Sequence, residues 1–65
     1  MIDVTIHNYG SIVQFQLHTE EAREWVDENV QADDWQWSGR GFLNVEHRYA
    51  GHLADGMIDA GFEVN

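Results

Sequence analysis

The chain has no cysteine, no proline and no lysine among its 65 residues. Without cysteine there is no disulfide, no thiolate nucleophile and no thiolate metal site, and the redox compartment leaves no mark on the sequence. Without lysine, three arginines face twelve acidic side chains, for a net charge of −9. Nucleic-acid binders displace counterions from phosphate with many cations, so direct binding to nucleic acid is not expected. Attraction to an anionic membrane surface is disfavoured for the same reason. No apolar run approaches the roughly 20 residues of a membrane helix. The start, Met1-Ile2-Asp3-Val4, carries no basic segment of the signal-peptide kind. These features together suggest a cytoplasmic location.

What is present fits a single domain spanning residues 1–65. A chain of this size buries only about 60% of its unfolded surface, so its core is marginal. Three Trp, three Phe and two Tyr supply the large side chains such a core needs. A homodimer is another route to more burial.

Two segments alternate with period two. Ile2, Val4 and Ile6 alternate with Asp3, Thr5 and His7, and Val13, Phe15 and Leu17 with Gln14, Gln16 and His18. Half-buried strands read this way. Asn8-Tyr9-Gly10-Ser11 is turn chemistry. A four-residue turn sets His7 opposite Ile12, Ile6 opposite Val13 and Val4 opposite Phe15, with every large apolar side chain except Ile12 on one face.

Thr19 before Glu20-Glu21 marks a helix start: a hydroxyl cap, then acids at the positive end of the helix dipole. Ala22, Trp25, Val26, Asn29 and Val30 recur at helical spacing and should face the sheet, with the helix ending near Val30. Arg23 is placed to pair with Asp27 one turn on. Trp35 and Trp37 alternate around Gln36, and Ser38-Gly39-Arg40-Gly41 suits a hairpin into a strand from Phe42 to Val45. A three-residue loop sets Trp37 opposite Leu43 and Trp35 opposite Val45. From His47 to Ala60 the spacing is helical again, with Tyr49, Ala50, Leu53, Met57 and Ala60 as the apolar stripe and Gly61 as the cap. Phe62-Glu63-Val64 reads as a final strand. The expected fold is α+β: a two-layer β-β-α-β-β-α-β domain, mostly antiparallel, with both helices on one face of the sheet. A helix between the fourth and fifth strands allows one parallel pair.

The residues offer little chemistry. His7, His18, His47 and His52 form no dense ligand cluster. His52, Asp55 and Asp59 share a helix side and make the least favoured alternative, a metal-dependent or hydrolytic enzyme. Ser11 and Ser38 sit in turns without a nucleophile elbow. Ser38-Gly39-Arg40-Gly41 lacks the lysine of a phosphate loop. No catalytic residue, metal ligand or cofactor site is assigned.

The charge distribution says more. Seven carboxylates and one arginine lie between Glu20 and Asp34, a net −6. Glu20, Glu21, Glu24, Asp27 and Glu28 fall on one side of the first helix. Glu20, Glu24, Asp27, Glu28 and Asp34 are therefore the candidate contact surface for a basic protein partner. Carboxylates spaced along a helix can imitate a phosphate track and occupy a basic nucleic-acid-binding groove. The plainer reading is that the acid keeps a small protein soluble. The second sheet face, with Ile12, Gln14, Gln16, Gln36 and Phe42, is a candidate dimer interface.

Several of these residues also carry a family resemblance: Gly10-Ser11-Ile12, Thr19-x-x-Ala22-x-x-Trp25, Val45-Glu46-x-x-Tyr49 and Gly56-Met57-x-x-x-Gly61-Phe62. The pattern resembles a group of short bacterial and bacteriophage proteins of uncharacterised activity, found on phages, plasmids and other mobile elements. It covers most of the chain and rests on apolar and turn positions. The resemblance implies a small accessory or counter-defence protein and brings no catalytic residue with it.

Overall fold

A computed structural model describes residues 1–30, 37, 39 and 41–65. Three strands and two helices follow one another: β1 (Val4–Asn8), β2 (Ile12–Leu17), α1 (Glu20–Asn29), β3 (Phe42–Glu46) and α2 (His47–Asp59). The strands form one antiparallel sheet in the order β1-β2-β3. The class is α+β, and the described residues hold three strands where five were expected. Val64 makes only a single parallel bridge to Val4, and Trp37 a single antiparallel bridge to Leu43. The parallel pairing therefore falls on β1, two strands away from the strand that precedes α2. Trp37 does face Leu43, whereas the expected Trp35–Val45 pair lies outside the described residues, as do Asp33, Asp34, Gln36, Ser38 and Arg40.

The first hairpin is tighter than the turn residues suggested. Tyr9 N–H donates to Ile12 C=O at 2.9 Å, leaving a loop of Gly10 and Ser11 alone. Gly10 takes φ +87° while Ser11 keeps an ordinary φ. That matches a type II′ turn, which needs glycine at its first central position. The register accordingly moves by two residues: Ile6 pairs with Phe15 and Val4 with Leu17. An even shift returns every side chain to its original face, so the face assignment survives the corrected pairing.

The helix ends have clear local causes. Thr19 is the N-cap of α1, and its Oγ1 accepts from Ala22 N–H at 3.2 Å. α2 closes in a Schellman motif: Gly61 N–H donates to Ile58 C=O at 3.0 Å and Phe62 N–H to Met57 C=O at 3.1 Å. Gly61 sits at φ +97°, the left-handed position that motif requires.

Both helices pack on the same sheet face. Val4, Val13, Phe15, Leu17, Leu43 and Val45 of the sheet form one cluster with Ala22 and Val26 of α1 and Leu53 and Met57 of α2. On α2 the inward stripe is Ala50, Leu53, Ala54 and Met57, while Tyr49 is 45% exposed and Ala60 is exposed. The stripe thus keeps the helical spacing but is rotated by part of a turn from the expected one. On α1 Asn29 is exposed as well, and its side-chain amide donates to Trp25 C=O at 2.9 Å.

Candidate functional site

The acidic side of α1 takes shape from its own geometry. At 3.6 residues per turn, Glu20, Glu21, Glu24, Asp27 and Glu28 fall within about 120° of arc. Ala22 and Val26 occupy the opposite side and are buried. All five carboxylate residues are exposed. None is ion-paired to a described cation; the salt bridges among the described residues are Met1 N with Glu63 and Arg48 with Glu46.

The one cation of α1 is turned away from them. Arg23 does not pair with Asp27 as its spacing suggested. Its Nη1 donates to Leu17 C=O at 3.2 Å, and its stem is half-buried beside Gly41. A carbonyl at the end of β2 is a fixed, partly desolvated acceptor, which an exposed aspartate on a flexible stem cannot match. No described cation therefore sits against the acidic side. Asp34, the fifth candidate, lies outside the described residues.

The sheet face away from the helices is mostly polar and uncharged. Gln14 stands opposite Asn44 and Gln16 opposite Phe42, with Ile12 opposite Glu46 at one end. Side chains link the strands across this face. Gln14 Nε2 donates to Asn44 Oδ1 at 3.2 Å, His7 Nε2 lies 3.0 Å from Gln16 Oε1, and Thr5 Oγ1 lies 2.7 Å from His18 Nε2. Ile12, Gln14 and Phe42 thus share one face, while Gln36 lies outside the described residues. Phe42 is half-buried, and a Cβ built on Gly39 would stand 3.9 Å from its ring.

The remaining histidines stay apart from one another. His52, Asp55 and Asp59 are all exposed on α2. Among the described residues no group of three or more His, Asp or Glu side chains is arranged to hold a metal ion. No helix among them is long and apolar enough to cross a membrane.

Comparison with protein-family models, with curated proteins and with solved structures finds no match to this chain.

Proposed function

We propose that this protein is a non-enzymatic interaction module that binds a more basic protein through α1. One observation carries the reading. Five exposed carboxylates share one side of the helix, and the helix's only arginine is drawn away to the Leu17 carbonyl. Glu20, Glu24, Asp27 and Glu28 make the contact. In its concrete form the helix imitates the phosphate track of a duplex and occupies the groove of a nucleic-acid-binding protein. This suits a cytoplasmic accessory or counter-defence protein of a mobile element. Opposite charge steers such encounters and makes them salt-sensitive.

The test is capture of partners from cell lysate at low and high salt, followed by titration of the purified partner. Glu24→Lys with Asp27→Lys should abolish binding while the circular dichroism spectrum is unchanged. Duplex DNA should compete if the mimic form holds. Binding that survives the double charge reversal would remove the acidic helix from consideration.

A second reading is a homodimer through the sheet face that the helices leave uncovered. Its support is the run of uncharged side chains there, from Gln14 and Gln16 to Asn44 and Phe42, in a chain that otherwise repels its own copy. Light scattering would then give twice 7.5 kDa. A strict monomer at high concentration would exclude it.

A further inference from the structure

β1 lies at the edge of the sheet, and residues 63–65 run parallel along its outer side. Asp3 and Val4 N–H both donate to Glu63 C=O, at 2.9 and 3.1 Å. Asn65 N–H donates to Val4 C=O at 2.8 Å, and Ile6 N–H to Asn65 C=O at 3.0 Å. This is the slanted pattern of a parallel ladder, with Val4 and Ile6 bonding outward. Glu63 N–H also donates to Asp3 Oδ2 at 2.9 Å, and the Glu63 carboxylate meets the Met1 ammonium at 3.3 Å. Phe62 and Val64 are half-buried against the core, while Glu63 and Asn65 are exposed. The edge thus reads an extended segment through backbone bonds and two apolar side chains at alternate positions. Strand addition to a sheet edge works this way.

The segment is lightly held. None of residues 61–65 is fully buried, and the ion pair to Met1 is exposed and adds little. Gly61 joins the segment to α2 at φ +97°, and a glycine lets the chain swing there without strain. Segments with few buried contacts open at low free-energy cost. The ladder bonds run only as far as Ile6 N–H. The same alternation makes Ile6 C=O and Asn8 N–H the next outward groups of β1.

We propose that the outer edge of β1 is a receiving site for an extended segment of a partner protein, and that residues 61–65 occupy it as a removable strap. The occupant runs parallel to β1, is apolar at alternate positions and carries no proline where Asn65 N–H now bonds. A tethered strap competes at an effective concentration of about millimolar. A partner segment prevails by being longer: continued past the Asn65 position, it brings Ile6 C=O and Asn8 N–H into the ladder. The acidic side of α1 takes no part, so the site stands or falls independently of the partner surface proposed above.

The probe is a capped peptide with the sequence of residues 61–65 followed by valine and threonine. It is titrated into the full chain and followed by two-dimensional NMR. The peptide should saturably shift the amide signals of Val4, Ile6 and Asn8 and leave those of Glu24 and Asp27 unmoved. Asn65→Pro removes the N–H that bonds to Val4 C=O, at an exposed position that leaves the core intact. This variant should bind the peptide about tenfold tighter than the natural chain, the worth of one backbone hydrogen bond. Val64→Gly, which strips a half-buried side chain from the strap alone, should act in the same direction. A peptide N-methylated at the position matching Asn65 should bind about tenfold weaker. Equal affinity for the natural chain and both variants would overturn the proposal. So would an N-methylated peptide that binds as well, shifts centred elsewhere, or no binding at all. A dimer of the natural chain in light scattering that Asn65→Pro dissolves would give the edge to a second copy and overturn it too.

Discussion

The indole of Trp25 covers Gly56: a Cβ built on that glycine would stand 3.3 Å from Cη2 of the ring. The same indole meets the ring of Phe62 edge-on, with centroids 6.1 Å apart. The Schellman turn after α2 delivers Phe62 to this spot. One aromatic on α1 is thus clamped between a bare stretch of α2 backbone and the residue that follows its cap.

The two glycines of α2 should therefore respond differently to substitution. A Cβ at Gly51 meets nothing within 4 Å. Gly51→Ala should raise stability by about 0.5–1 kcal/mol through helix propensity alone. Gly56→Ala should gain less, because the indole must shift by a few tenths of an ångström. Gly56→Val should lose about 1–3 kcal/mol by overpacking. Urea unfolding of the variants checks the order.

Gly41 is constrained more tightly. It sits at φ +80°, its C=O accepts from Leu17 N–H at 2.7 Å, and an added Cβ would lie 3.0 Å from Leu17 O. Gly41→Ala should cost about 1–3 kcal/mol, from backbone strain together with the clash. The measurement is the urea midpoint at unchanged slope.

Thr19→Ala should cost about 1 kcal/mol, because Ala22 N–H loses its acceptor. Thr19→Asp should restore most of it. Thermal unfolding of the pair separates loss of the cap from a general effect at that position.

The carboxylates of α1, none of them paired to a described cation, repel one another in the folded state. Adding salt shortens the screening length to about 8 Å at physiological strength. The melting temperature should therefore rise from low to physiological salt. In Glu24→Gln with Asp27→Gln the rise should be smaller. An identical salt response in both proteins would show that the repulsion is not centred on these residues.

Much of the architecture was legible in the residues themselves. Period-two alternation marked β1 and β2, Thr19 with Glu20 and Glu21 marked the start of α1, and Gly61 marked the end of α2. These signals are local, since each rests on a propensity or a cap within one or two turns of chain. The acidic side of α1 was legible for the same reason: helical spacing alone gathers Glu20, Glu24, Asp27 and Glu28.

Tertiary structure decided the remainder, where distant segments compete for one partner. Arg23 had an acceptor within its own helix, yet the Leu17 carbonyl beside Gly41 took it. The hairpin register followed Gly10's positive φ, and two registers that share a face cannot be told apart by hydrophobic pattern. The segment at Val64 pairs with β1, not with the strand before its helix, a choice made by the whole sheet. The shallow hollow between α2 and the sheet is also a tertiary fact: Ala50 and Ala54 read as ordinary small helix residues, and only the position of α2 over Val13 and Phe15 leaves open space beside them.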